Sequence, residues 1–378
     1  MKPSIIANVD NRHSPSTAAQ DFPRPKIYIY PLPEHLNTAT VLRHPSQQLD
    51  FWYVEYLFHQ NVVHSDLVTT DPDTADFLLI PFYPACYFAA FAYEQGIDPA
   101  RWTRFQRYRS EFHVHCGFRE TMRLVRKTSS WKKWEGRHHL LVFGQGRGAN
   151  SGYFWQWYGS RVRHCTFLGV EARPGFNHDA FRIGHDVVIP GYTPWQDVID
   201  EVATENLPRD ILIHFRGRSW GTIRPEIFRH LRASSDIILE GHVSFAMGGE
   251  NRPANRADVA AYYRELHRTV FCLCPAGWTP WSKRIYETIL CGAIPVFIPG
   301  SFVPPFTNQL DFEKFSVTIK ADELPRLEQI LRSIPTARVQ EMLAEVARVR
   351  HHFIWHTQSI PGDAFDLVCR DLIDNVSR

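Results

Sequence analysis

The stretch Val270–Ile298, VFCLCPAGWTPWSKRIYETILCGAIPVFI, decides how the rest of the chain is read. VFCLCP (Val270–Pro275) and AIPVFI (Ala293–Ile298) are continuous apolar runs. Each reads as a strand buried on both faces, as in a parallel sheet. Between them Thr279 offers an N-cap, Pro280 suits a first helical position where its missing N–H costs nothing, and Gly292 stands where a left-handed C-terminal cap is wanted. A short helix is therefore expected over Pro280–Cys291, with Ile285, Thr288 and Ile289 turned to the sheet. A strand–loop–helix of this kind brings the loop Ala276–Gly277–Trp278 to the carboxyl edge of the sheet, where ligands of open α/β folds bind. Ser282, Lys283 and Arg284 add donors and positive charge at the same end. Cations near a helix N-terminus oppose its dipole and need a compensating partner, which a bound diphosphate supplies. Arg284 and Glu287 are three apart and share a face. They read either as an Arg for phosphate with a carboxylate for ribose hydroxyls, or as a surface ion pair worth a few tenths of a kcal/mol.

Working outward, strand and helix keep alternating. ILIHFRGR (Ile211–Arg218) is a strand running into a basic loop, and RPEIFRHLR (Arg224–Arg232) is a helix begun by proline. DIILEG reads as strand and ADVAAYYRELHRT as helix. Nearer the start, KIYIYPLP (Lys26–Pro33) is a first strand, Phe51–Gln60 is helical, and Phe77–Pro81, Leu140–Phe143 and Asp186–Tyr192 carry further strands. Residues 101–129 suit one or two amphipathic helices. A helix over Thr336–Phe353, with Val339, Met342, Leu343, Val346 and Val349 on one stripe, closes the chain. The pattern implies two parallel-sheet α/β units. A tail over 1–24 is expected, then a first unit over 25–205, a second over 206–335, and C-terminal helices over 336–378 packing back toward the first.

The chain has 378 residues, and a hydrophobic fraction of 44% supports folded cores rather than disorder. With 42 basic and 40 acidic side chains the net charge is +2, and without a basic run there is no footprint of a nucleic-acid binder. No stretch approaches the ~20 apolar residues of a membrane span, and the opening residues lack the apolar core of a secretory signal. Taken literally the chain reads as soluble, although one trimmed of an anchor would look the same. Seven cysteines fit neither a disulfide framework nor a zinc spacing. Cys272 and Cys274 share one face of a strand and read as buried thiols. There is no GxxxxGK[ST] phosphate loop, and GQGRG (Gly144–Gly148) falls short of a dinucleotide fingerprint. Asp71–Pro72–Asp73 imitates an Asp-x-Asp metal motif but precedes its strand. His351, His352 and His356 have no carboxylate in register, so no metal site is expected.

Taken together, KIYIYPLP, DPDTADFLLIPFYP, GRHHLLVF, DVVIPGY, HFRGR, RPEIFRHLR and the long run FCLCPAGWTPWSKRIYETILCGAIPVFIPGSFVPPFTNQLDFEKFSV resemble the exostosin family of glycosyltransferases, from Lys26 to about Leu331. The order Pro-x-Gly, Ser-x-Arg-x-x-Glu, Gly-x-Ile-Pro-Val is specific. The resemblance implies a GT-B fold, two Rossmann-like domains facing a cleft, and inverting transfer from a UDP-sugar to a glycan or glycoprotein without an obligatory metal. It implies that Arg284 meets the diphosphate and Glu287 the ribose. Arg216, Arg218 and Arg224 would line the phosphate side, and Pro275, Gly277, Ser282 and Lys283 would complete the donor loop. A base for the acceptor hydroxyl is expected from the first unit, with Asp76, His138, His139 and Glu171 as unranked candidates. Family members usually carry an N-terminal anchor and act in the Golgi, and exostosin-type chains are known to pair, so a homo- or hetero-oligomer with a related transferase is implied. A non-catalytic subunit that binds sugar or stabilises an active partner is the alternative.

Overall fold

Residues 24–44, 47–48, 50–96, 103–146, 154–172, 181–219, 221–241, 255–277, 282–298 and 303–376 are described by the computed structural model. The tail expected before Arg24, the residues Trp278, Thr279 and Pro280, and the second half of GQGRG lie outside them.

The apolar runs near the start become a six-stranded sheet. Its strands are β1 (Ile27–Ile29), β2 (Val68–Thr69), β3 (Phe77–Leu79), β4 (His139–Phe143), β5 (Thr166–Gly169) and β6 (Val187–Val188), in the order β2-β1-β3-β4-β5-β6. Every pair is parallel, with Ile27 opposite Phe77 and Leu140 opposite Thr166. Every residue of β3 and β4 is buried, as strands covered on both faces require. β1 is shorter than Lys26–Pro33 because Pro31 and Pro33 lack the N–H a ladder needs. Helices α1 (Thr38–Leu42), α2 (Val54–Val63), α3 (Pro84–Glu94), α4 (Arg104–Val125), α5 (Ser129–Trp134) and α6 (Phe154–Val162) belong with this sheet. α4 is one continuous helix opened by a capping box of Thr103 and Gln106. Its Phe118, Met122 and Val125 join Ile80, Leu141 and Phe167 in the core.

The second sheet repeats the scheme. α7 (Gln196–Ala203) leads into β7 (Ile211–Arg216), α8 (Ile223–His230), β8 (Ile237–Glu240), α9 (Arg256–His267), β9 (Thr269–Pro275), α10 (Arg284–Leu290), β10 (Ile294–Ile298) and β11 (Val317–Thr318), followed by α11 (Leu327–Ser333) and α12 (Thr336–Val349). The strand order is β11-β10-β9-β7-β8, again parallel throughout, with Phe271 opposite Ile294 and Pro275 opposite Ile298. α10 starts at Arg284, with Lys283 in the N-cap position, rather than at Pro280 as read from sequence, and it stops where Gly292 adopts φ 74°, the left-handed cap expected there. Pro225 is the third residue of α8 rather than its first, still within the turn whose N–H groups have no helical acceptor. All seven cysteines are free thiols, and Cys272 and Cys274 are fully buried in β9.

The two sheets anchor two units, the pair of parallel-sheet α/β domains of a GT-B-like fold. The described residues up to Pro194, with Val303–Phe306 and those from Trp355 on, form one; the others between Trp195 and Ile354 form the second. The divide therefore falls at 194/195, against 205/206 from sequence, because α7 packs on α9: His267 Nε2 reaches the Ile199 carbonyl at 3.2 Å. The return to the first unit starts at Trp355, against 336. The stripe of α12 stays buried with the second unit. Trp355 Nε1 donates to the Pro190 carbonyl at 2.8 Å, and a last helix, α13 (Ala364–Val376), sets Phe365 5.5 Å from Phe58 of α2. Thr336–Phe353 thus does not close the chain; of the helices expected over 336–378 it is α13 that packs with the first unit. Among the described residues no helix is long and apolar enough to cross a membrane.

In each sheet the chain order reverses once, between β1 and β3 and between β7 and β9. Open α/β sheets bind ligands beyond the carboxyl ends of the strands beside such a reversal.

Candidate functional site

The residues singled out in Val270–Ile298 converge at the β7/β9 reversal. Arg216 ends β7, Pro275 ends β9, and Arg284 opens α10 just after it. The buried ring of Phe215 forms a floor for two cations. The Arg284 guanidinium carbon lies 5.0 Å from its centroid and that of Arg224 5.9 Å. Arg224 Nε donates to the Ala276 carbonyl at 3.1 Å and its Nη1 to the Arg218 carbonyl at 3.5 Å. Arg284 Nη2 donates to the Arg216 carbonyl. Its Nε and Nη1 are buried and find no hydrogen-bond partner among the described residues, although Arg284 is only 6% exposed. Neither cation pairs with a carboxylate among the described residues. Burial, and then the charge of Arg284, push Arg224 down to about 10. The two guanidiniums over one ring repel, and burial opposes the charge of each, although for Arg284 the fields of Tyr262, Cys272, Cys274 and Glu287 outweigh that burial and hold it above the usual value. A multivalent anion relieves both.

Arg216 is differently placed. Its Nε and Nη2 form a fork on Glu265 of α9, at 2.7 and 2.6 Å, and its Nη1 meets Glu240. The side chain is neutralised from within, and its contribution to the cluster is its main-chain carbonyl. Arg218 is exposed in the loop that follows. Glu287 is 2% exposed and makes no surface pair with Arg284; Lys283 Nζ lies 3.2 Å from its Oε1 and Tyr262 OH donates to its Oε2 at 3.3 Å. Ser282 steadies the start of α10, its Oγ accepting from Arg284 N at 3.4 Å and its carbonyl from Ile285 N at 3.0 Å. Gly277 follows Pro275 in the loop after β9.

The four candidate bases separate by sheet edge. Asp76 precedes β3, and its Oδ2 accepts from Lys26 N at 2.7 Å, tying down the start of β1. His138 precedes β4, its ring 4.7 Å from that of Trp134. His139 opens β4 and is fully buried. Its Nδ1–H donates to the Arg137 carbonyl at 2.8 Å, its Nε2 accepts from Tyr30 OH at 2.7 Å, and burial lowers it to about 4. All three stand at amino ends of strands. Glu171, 5% exposed, follows β5 and stands at the carboxyl edge. Of the features read as inert, Asp71 Oδ1 accepts from Asp73 N at 2.9 Å, closing a turn, and His356 pairs with Asp363 at 3.2 Å.

One prominent group escaped the sequence reading. Glu55, on α2 and 1% exposed, accepts from Ala85 N and Cys86 N at the start of α3 and from Gly144 N after β4, at 2.8–3.2 Å. Burial pushes its carboxyl up to about 8 against the pull of these donors. A side chain is disfavoured at Gly144, where a methyl group would sit 3.0 Å from the Trp52 carbonyl oxygen. A single acid inside the aromatic run FWYVEYLF was the available signal. Glu265 and Tyr262 of α9 were missed as well, because only packing brings that helix to β7 and α10.

Two parallel-sheet α/β units, one with two arginines over a single ring at its strand reversal, define a GT-B-like class of protein. More narrowly, residues 22–334 match the model of the Exostosin GT47 domain, and the chain belongs to that family. Its relatives include "Probable glucuronosyltransferase GUT1" of Oryza sativa subsp. japonica, 27% identical over 92% of this chain and 80% of the relative. "Probable beta-1,4-xylosyltransferase IRX10" of Arabidopsis thaliana is also 27% identical, over 92% of this chain and 81% of that protein. Among solved structures, a glycosyltransferase from Rickettsia africae ESF-5 aligns over 93% of this chain and 98% of its own at 10% identity, with a TM-score of 0.41. The chain is a glycosyltransferase, acting on a sugar donor and a glycan acceptor.

Proposed function

We propose that the protein is an inverting glycosyltransferase that takes its sugar from a UDP-sugar and passes it to a polysaccharide or glycoprotein glycan in the Golgi. The supporting observation is the pair of Arg284, buried, and Arg224, half-buried, at the β7/β9 reversal without a carboxylate ion-pair partner among the described residues. When UDP leaves, negative charge grows on its diphosphate, and fixed guanidiniums in a poorly hydrated site stabilise that charge as the transition state forms. They supply the positive charge a divalent ion would bring, so no metal is obligatory. Glu287, held by Lys283 and Tyr262, is the group assigned to the ribose. Inversion needs a base within ~3 Å of the acceptor hydroxyl in the bound complex. Glu171 is assigned that role as the candidate at the carboxyl edge. The relatives' names make UDP-glucuronic acid and UDP-xylose the first donors to try.

Calorimetric titration with UDP tests the reading. Binding is expected to survive EDTA, and failure of the intact chain to bind UDP would overturn it in favour of a non-catalytic sugar-binding subunit. A screen of UDP-sugars for UDP release then tests turnover. Glu171→Gln is expected to lower it by ~100-fold or more, the usual worth of a general base, with UDP affinity unchanged.

A further inference from the structure

Arg284 is useful to an anion only if its fork is held in one orientation, and the structure shows what holds it. Nη2 is fixed by the Arg216 carbonyl, and Phe215 lies beneath the cation. That carbonyl belongs to a residue whose side chain is gripped by Glu265 through two parallel hydrogen bonds of 2.7 and 2.6 Å. Glu265 Oε2 also accepts from His214 Nε2 at 3.2 Å, and His214, fully buried two residues before Arg216, sets its Nδ1 3.9 Å from the Cys272 thiol of β9. One carboxylate of α9 therefore ties both inward-facing polar residues of β7, and through them the register of the strand end that Arg284 reads.

We propose that Glu265 is the positioning residue of the donor site, clamping Arg216 and His214 so that the Arg216 carbonyl orients Arg284 with Nε and Nη1 left for the diphosphate. The inference rests on the UDP-donor reading above. Glu265 does not touch the substrate; it acts through Arg216. A bidentate Arg–carboxylate pair is geometrically specific, and an uncharged amide cannot accept the same fork.

The same helix carries a control. Arg264 forms an equivalent fork with Glu205 on the exposed side, at 2.7–2.9 Å. UDP affinity is measured by calorimetry on the full chain and on Glu265→Gln, Glu205→Gln, Arg284→Lys and the double variant Glu265→Gln/Arg284→Lys, with thermal melts alongside. Glu265→Gln is expected to weaken UDP about tenfold while Glu205→Gln leaves it unchanged. In the Arg284→Lys background the further loss is expected to shrink to less than twofold, because the orientation being protected is gone. Should Glu265→Gln fail to fold, Arg216→Lys, which removes the fork from the other side, is expected to show the same tenfold loss. The proposal is overturned if Glu265→Gln, or in its place Arg216→Lys, binds UDP within twofold of the parent. An undiminished loss in the Arg284→Lys background overturns it too. If the parent chain binds no UDP at all, the donor reading fails first; if it binds and only the Glu265 effect is missing, the positioning role alone is lost.

Discussion

The carboxyl edges of the two sheets are finished in opposite ways. Beside the β1/β3 reversal, the start of α3 and the Gly144 turn present backbone N–H groups to the Glu55 carboxyl, which fills the space from within. Beside the β7/β9 reversal no carboxylate among the described residues forms an ion pair with Arg284 or Arg224, and Glu287 acts on Arg284 only through its field. The same architecture is thus hydrogen-bonded from within in the first unit and left with unpaired guanidinium donors in the second. Incompleteness is where an anionic ligand gains most, since binding removes a penalty the folded chain already carries.

The contrast can be broken most forcefully at Glu55. Glu55→Ala leaves three buried N–H groups without their acceptor at ~1–3 kcal/mol each, so a loss of about 3 kcal/mol or more is expected in denaturant titration, with UDP affinity of the folded protein unchanged. If affinity falls with stability, the two edges are not independent. Next in size, Arg284→Ala removes two charge-assisted donors and is expected to weaken UDP by roughly 100-fold in calorimetry. Arg224→Ala removes the less buried cation, and a loss of about tenfold is expected, shrinking as salt is raised. An Arg224 effect as large as that of Arg284 would mean the pair is used symmetrically.

The smallest effect is a pH dependence. Glu55 is raised from 4.5 to about 8 by burial, so between these values the native state keeps a proton that the unfolded chain releases. Its contribution is fully present below 4.5 and is lost as pH rises through 8. His59, His139 and His267, lowered by burial from 6.5 to about 4, act in the opposite sense, and their contribution is lost as pH falls from 6.5 through 4. Comparing the parent with Glu55→Gln isolates the Glu55 contribution. Between pH 5 and 8 the parent is expected to lose stability relative to the variant, and parallel curves would show that Glu55 does not titrate there.

Much of the fold was legible because buried parallel strands must be apolar at every position, and VFCLCP, AIPVFI and FLLIP have no other reading. Gly292 was legible for the same kind of local reason, a backbone angle that side chains resist. The bounds of α13 were not, since Ala364–Val376 forms its own stripe only against the first unit, long after the chain has left it. Arg284, Glu287 and Arg224 were found from spacing. Whether each was free or already paired was not, and Arg216 shows why: its partners Glu265 and Glu240 stand on α9 and β8, 49 and 24 residues away.

The sequence alone determined the alternation of strands and helices, the family of the chain and which basic residues stand near the second strand reversal, because periodicity, caps and motif spacing are local properties of the polymer. Tertiary structure alone decided which charges are cancelled and which are not. Pairing, burial and desolvation depend on residues distant in sequence meeting within a few ångströms, so the filled edge at Glu55 and the open one at Arg284 exist only in the folded molecule.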